Sequence, residues 1–178
     1  MPSSMSFAIM VKLTRIYTKT GDHGTTALAN NERENKNSPR IICIGAVDEA
    51  NSAIGMIDEH YDHWINPIQQ KMFDLGAELA KSSSIKIVNS DIENLEKLID
   101  ELNEDLPTLQ SFILPKGDIH HARAVVRRAE LKVWWAMDYE EISELIPQYL
   151  NRLSDLLFVL ARHDATWRPE VLWRPSIG

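Results

Sequence analysis

The chain has 178 residues, a formal net charge of −7, and 44% hydrophobic against 25% charged residues, the balance of a globular domain large enough to bury a core. The acidic balance argues against a nucleic-acid binder, whose affinity rests on neutralising phosphates, and no apolar run approaches membrane-spanning length. Cys43, the sole cysteine, excludes an internal disulfide and a cysteine-based zinc site; with no signal-peptide pattern, the expectation is one cytoplasmic domain over residues 1–178.

Taken in order, residues 1–13 carry no periodic pattern and read as a tail. Residues 14–40 are rich in Thr, Gly, Asn and charge and read as a long ordered loop, of the kind that tends to be functional in a compact domain. The run 41–44 has no obvious strand partner and reads as the lead-in to a first helix over 47–61. A second helix over 64–81 places Ile65, Ile68, Met72, Leu75 and Leu79 on one stripe. Ser90 followed by Glu93 suggests a capping box for a third helix that buries Ile92, Leu95, Leu98, Leu102 and Leu106. Pro107 and Pro115 bracket an extended stretch. A fourth helix is predicted over 118–138 and a fifth over 139–167, with Leu145, Tyr149, Leu153, Leu156 and Leu160 inward. Pro147 should kink or restart the fifth, because proline lacks the N–H that an interior turn needs. Residues 168–178 read as a tail. The fold class that follows is all-α: a five-helix up-and-down bundle behind an ordered N-terminal loop.

Chemistry-bearing residues fall in three places. In 18–26, glycines let backbone N–H groups turn toward an anion while hydroxyls and Lys19 add donors and charge. A polar turn with no ligand accounts for the same string; a Walker loop does not, since its glycine and lysine spacing is absent. Arg123 and Arg127, one helical turn apart, repel each other unless something anionic lies over them. A solvated face with an Arg127–Glu130 pair is the competing reading. Asn151 and Asp155 interrupt the apolar stripe of the fifth helix. Taken alone, Asn151 is best explained by a helix–helix hydrogen bond, because burying an unpaired amide costs free energy. The pairs His60/His63 and His120/His121 read as solvated or divergent rather than as metal ligands. The tryptophans fit either core or an oligomer contact.

Five strings, in order, resemble the PduO-type ATP:cob(I)alamin adenosyltransferases. They are Ile16-Tyr17-Thr18-Lys19-Thr20-Gly21-Asp22-x-Gly24, Val47-Asp48-Glu49-x-Asn51-Ser52-x-Ile54-Gly55, Phe112-Ile113-Leu114-Pro115, Arg123-Ala-Val-Val-Arg127-Arg128-Ala-Glu130 and Tyr149-Leu150-Asn151-Arg152-Leu153-Ser154-Asp155. The resemblance implies an enzyme that transfers the 5′-deoxyadenosyl group of ATP to Co(I) of a reduced corrinoid and releases triphosphate. It implies a homotrimer with active sites between subunits, ATP as co-substrate, cobalamin as substrate, Mg2+ on the triphosphate, and an adenosylcobalamin-dependent enzyme as acceptor of the product. Carried over by motif, the ATP site is Thr18, Lys19, Thr20, Gly21, Thr26, Lys36, Arg127, Arg128, Glu130 and Asn151. Asp48 pairs with Arg123 across the subunit boundary, next to the corrinoid, and Phe112 stands against the lower face of the corrin ring. Arg127, Arg123 and Asp48 are the residues expected to serve the chemistry. The alternative from another class is a trimeric corrinoid or ATP-binding sensor or delivery protein with little turnover.

Three departures from the family pattern stand out. The stretch Pro115-Lys116-Gly117-Asp118-Ile119-His120 is shorter than usual, Leu131 follows Glu130 where an arginine is typical, and Asn30-Asn31 replaces a frequent Gly-Gly.

Overall fold

The computed structural model describes residues 17–83, 85–164 and 170–176. The expected tail at 1–13, Ile16 of the first motif and the end of the fifth predicted helix at 165–167 lie outside these described residues. Among them are five α-helices, a short 3-10 turn at Glu59–Tyr61, and a two-stranded hairpin.

Residues 14–40 are not one long loop. Their described part folds as the antiparallel strands β1 (Thr25–Ala27) and β2 (Arg33–Asn35), with Thr25 opposite Asn35 and Ala27 opposite Arg33. Such short polar strands give no hydrophobic alternation to read. Asn31 adopts φ +66° at the hairpin turn, a left-handed conformation that asparagine tolerates better than most residues. That explains how Asn30-Asn31 can stand where glycines are frequent.

Helix α1 (Pro39–Ile54) begins well before the predicted start at 47. The Ser38 hydroxyl accepts from the Ile41 N–H, and Pro39 sits in the first turn, where its missing N–H costs nothing. The run 41–44 is thus helix, not lead-in. The helix stops at Gly55, before the predicted end at 61. Helix α2 (Asp62–Leu79) buries all five predicted stripe residues. Helix α3 (Asn89–Asn103) starts two residues earlier than Ser90–Glu93 implies, with its cap at Val88: the Asp91 carboxylate accepts the Val88 N–H at 2.9 Å. Leu98 and Leu106 are only half-buried, the latter beyond the helix end. Helices α4 (Gly117–Met137) and α5 (Leu145–Asp164) follow. Pro147 lies in the first turn of α5, so no kink is required, and residues 139–144 are not helix.

Hydrogen bonds fix the helix directions. Asn51 meets Gln69 and Arg40 reaches the Leu79 carbonyl, so α1 and α2 are antiparallel. Glu49 meets Arg128 and Cys43 meets the Lys132 carbonyl, so α1 and α4 are antiparallel. Asn151 meets Glu130 across α4 and α5, and Arg152 meets Glu96 across α3 and α5. The lateral order is α2, α1, α4, α5, α3. Helices α4 and α5 are antiparallel, since Arg123 also meets Phe158, whereas α5 and α3 run parallel, Arg152 meeting Glu96 and Arg162 reaching Pro107 just beyond α3. Between α2 and α3, the Lys71–Asp91 ion pair spans the seam. The central helices α4 and α5 carry Ala122, Val126, Ala129, Leu150, Leu153 and Leu157 into the core. The small alanines on α4 let the helices approach closely.

Candidate functional site

The hairpin presents its polar loop through a specific scaffold. Lys19 and Gly24 hold φ +60° and +80°, the left-handed values that curl the chain. The Arg33 guanidinium donates to the Thr20 carbonyl at 2.7 Å and to the Thr25 hydroxyl, closing the curl. Thr18 Oγ1 and Thr20 Oγ1 lie 2.9 Å apart. A Cβ on Gly21 would sit 3.2 Å from Lys36 Nζ and from the Thr25 carbonyl, so this glycine lets the ammonium rest directly on the loop backbone. The Lys36 N–H is tied to the Gly24 carbonyl at 2.9 Å. Among the described residues, the N–H groups of Thr18, Lys19, Thr20 and Gly21 have no protein acceptor. Thr26 lies within β1, half-buried. Lys19 and Lys36 therefore flank a loop of undirected N–H groups, a geometry suited to anions.

A second cluster lies on α4 and α5. Arg127 is exposed and, among the described residues, has no carboxylate partner; the intrahelical Arg127–Glu130 pair does not form. Arg128 meets Glu49 of α1 at 2.6 Å. Arg123 lies over the Phe158 ring, 5.3 Å from its centroid. Burial holds the Arg123 guanidinium below its usual proton affinity, and the positive charge of Arg127 adds to this, while Asp155 opposes it. Glu130 accepts from the Asn151 amide at 3.4 Å and from the Trp134 indole at 3.4 Å. Asn151 thus makes the helix–helix bond that its sequence position suggests. Asp155 is drawn instead to Arg152, at 3.1 Å.

Asp48 is exposed on α1, and its carboxylate has no ion-pair partner among the described residues; its neighbour Glu49 takes Arg128. Within one protomer Asp48 and Arg123 do not meet. Phe112 is 79% exposed, beside Trp173 at 6.2 Å between ring centroids. The segment 168–178, expected as a tail, is ordered over 170–176: Leu172 pairs with Ile113 in an antiparallel bridge.

The structure thus brings together Thr18, Lys19, Thr20, Gly21, Thr26 and Lys36 on the hairpin, and Arg123, Arg127, Arg128, Glu130 and Asn151 on the α4–α5 face. It does not join the groups in one protomer. The hairpin is anchored to the end of α2, where Ala29 N–H donates to the Ala80 carbonyl and Lys81 pairs with Glu32. Among the described residues, no hydrogen bond links it to α4 or α5. Sequence reasoning missed Arg33, Glu49, Phe158 and Trp173. Arg33 was legible only with the hairpin register; the others depend on packing between distant elements.

Next to the arginines, α4 exposes Leu131, Trp134 and Trp135 at helical spacing, and Tyr139, just past its end, packs edge-on against Trp135. The Lys132 ammonium lies 5.6 Å from the Trp135 ring centroid, which ties its charge to that ring. Contiguous exposed apolar patches are typical of contact surfaces.

The family model described as cobalamin adenosyltransferase matches residues 16–164. The corrinoid adenosyltransferase of Mycobacterium tuberculosis (strain H37Rv) is 44% identical over 186 residues, covering 93% of this chain and 96% of the relative. The cobalamin adenosyltransferase of Cupriavidus metallidurans is 41% identical, covering 92% and 96%. A variant PduO-type ATP:corrinoid adenosyltransferase from Lactobacillus reuteri, solved in complex with cobalamin and ATP, superposes with a TM-score of 0.84 at 34% identity, covering 90% of this chain and all of that one. Motifs, helix order and these matches agree from the hairpin to the end of α5, and the chain belongs to the cobalamin adenosyltransferase family.

Proposed function

We propose that this enzyme transfers the 5′-deoxyadenosyl group of ATP to Co(I) of a reduced corrinoid, in sites shared between the subunits of a homotrimer. The observation that carries this reading is the cationic face of α4 on an acidic chain, with Arg127 exposed and unneutralised beside the Asn151–Glu130 pair. The Co(I) electron pair attacks C5′, the cobalt–carbon bond forms as the C5′–O bond breaks, and the departing electron pair leaves on triphosphate. Co(I) is already a strong nucleophile, so no general base is required. The hard chemistry belongs to the corrinoid, and the protein positions and stabilises.

The leaving group carries most of the developing charge, and cationic donors aimed at it lower the barrier. Loop N–H groups of 18–21 with Lys19, Lys36 and Thr26 receive the phosphates from one protomer; Arg127 and Arg128 receive them from the next. Asn151 and Glu130 hold the nucleoside end. Asp48 pairs with Arg123 across the boundary, relieving both the unpartnered carboxylate and the repulsion of Arg123 by Arg127. The Leu131, Trp134, Trp135 and Tyr139 patch supplies the apolar part of that boundary. Phe112 stands against the lower corrin face and excludes an axial ligand, which favours reduction of Co(II).

Mg2+ accompanies the triphosphate. Among the described residues no cluster of three His, Cys, Asp or Glu forms a cage, so the phosphate oxygens and water supply its ligands, and no step above runs through it. The product goes to an adenosylcobalamin-dependent acceptor enzyme, and the reaction takes place in the cytoplasm. Anaerobic incubation with ATP and chemically reduced cobalamin should give the visible spectrum of the cobalt–carbon product over many turnovers. Tight binding of both ligands with no product would instead identify a sensor or delivery protein.

A further inference from the structure

The C-terminal segment is stitched to the stretch that carries Phe112. Leu114 N–H donates to the Val171 carbonyl at 2.8 Å, and Trp173 N–H donates to the Phe112 carbonyl at 2.7 Å. The Ser111 hydroxyl donates to the Trp173 carbonyl at 2.8 Å. An isolated pairing this short is marginal by itself. One guanidinium holds both of its strands. Arg162, in the last turn of α5, is 6% exposed; its Nε donates to Glu170 at 3.0 Å and its Nη2 to the Pro107 carbonyl at 2.6 Å. Pro107 leads into the Phe112 stretch, and Glu170 leads into residues 171–173. A buried arginine is costly unless paired, and its planar fork serves a carboxylate and a carbonyl at once in a way a lysine cannot.

Building on the proposed adenosyl transfer, we infer that Arg162 and Glu170 form a latch that fixes the backbone carrying Phe112, which makes Arg162 a positioning residue for the part of the reaction that starts from Co(II). Phe112 projects from the surface, so core packing does not set its direction; its own backbone and Trp173 do. An apolar ring excludes an axial ligand only while held in the place that ligand would take, and holding such a group depends on its supporting shell. Attack by Co(I) needs no ligand exclusion. Loosening the latch therefore slows the route from Co(II) and spares the route from Co(I).

The test uses the full chain with Glu170→Gln, whose side chain is partly exposed, and with Arg162→Lys. Amide hydrogen exchange should quicken at Leu114 and Trp173 in both variants while the helical core stays protected. With ATP and cobalamin, the rate from Co(II) under a mild reductant, divided by the rate from pre-reduced Co(I), should fall about tenfold, the loss expected for one hydrogen bond to a charged group. Unchanged exchange at both amides, or an equal loss from Co(II) and Co(I), overturns the latch. If Arg162→Lys fails to fold, Glu170→Gln decides alone. Should the unaltered protein fail to adenosylate pre-reduced Co(I), the proposed function falls, while the exchange data still judge the latch.

Discussion

Arg123, Arg127 and Arg128 share one stretch of α4 yet meet three environments. Arg128 is neutralised by Glu49, and Arg123 is desolvated over Phe158. Arg127 alone keeps an exposed charge without a carboxylate, so it has the most to give a departing triphosphate. Replacing it with alanine should cost about 2.7–4 kcal/mol of transition-state stabilisation, by analogy with a lost oxyanion donor. Steady-state kinetics with pre-reduced cobalamin should show the loss in kcat, while far-UV circular dichroism stays unchanged. The arginine spacing was legible because helical periodicity is regular. Their partners were not, because Glu49 and Phe158 come from other helices. Cys43 gives an independent check on the packing. It is fully buried, donates to the Lys132 carbonyl, and burial pushes its thiol pKa up to about 11. A raised pKa keeps the thiol protonated at neutral pH, so a thiol-reactive chromophore should label it only at the rate of unfolding. Rapid labelling of the native protein would contradict the α1–α4 interface.

The helices could be read because each buries a stripe. Ile65, Ile68, Met72, Leu75 and Leu79 repeat at helical spacing and all reach the core. The hairpin and the 170–176 segment could not be read, because main-chain bonds and single ion pairs hold them, and neither leaves a periodic trace. The same limit hid the true start of α1, whose Ser38-Pro39 signal is local and lies outside the apolar run. Arg40 shows how much such contacts matter. Its buried guanidinium pairs with Glu140 and donates to the Leu79 and Glu141 carbonyls, joining α1 to the end of α2 and to the chain entering α5. Arg40→Met should destabilise the fold by about 3–5 kcal/mol, the usual cost of stranding a buried partner. Urea unfolding with an unchanged slope and a lower midpoint would show this.

For the molecule as a whole, the hairpin and α4 carry two separate cationic groups, which the proposed reaction brings to one nucleotide. The five-helix up-and-down class was legible, since apolar stripes at helical spacing mark the second, third and fifth helices, but the neighbour order α2, α1, α4, α5, α3 was not. The residues proposed to converge came from the family motifs, because a contact between protomers leaves no periodic signal in a single helix. The exposed Leu131, Trp134, Trp135 and Tyr139 patch beside Arg127 offers a surface on which a second copy can seat. Leu131→Arg together with Trp134→Glu should therefore lower the mass measured by light scattering from trimer to monomer, with loss of adenosyl transfer. An unchanged mass would place the subunit contact elsewhere. The most direct measurement mixes two inactive variants, Lys19→Ala on the hairpin and Arg127→Ala on α4, by unfolding and refolding them together in equal amounts. If each site takes its hairpin from one subunit and its arginine from the next, random assembly leaves about a quarter of the sites intact in a closed ring with head-to-tail contacts. Recovery of activity to about that fraction is the predicted result. Mixed trimers as inactive as either parent would contradict the shared site.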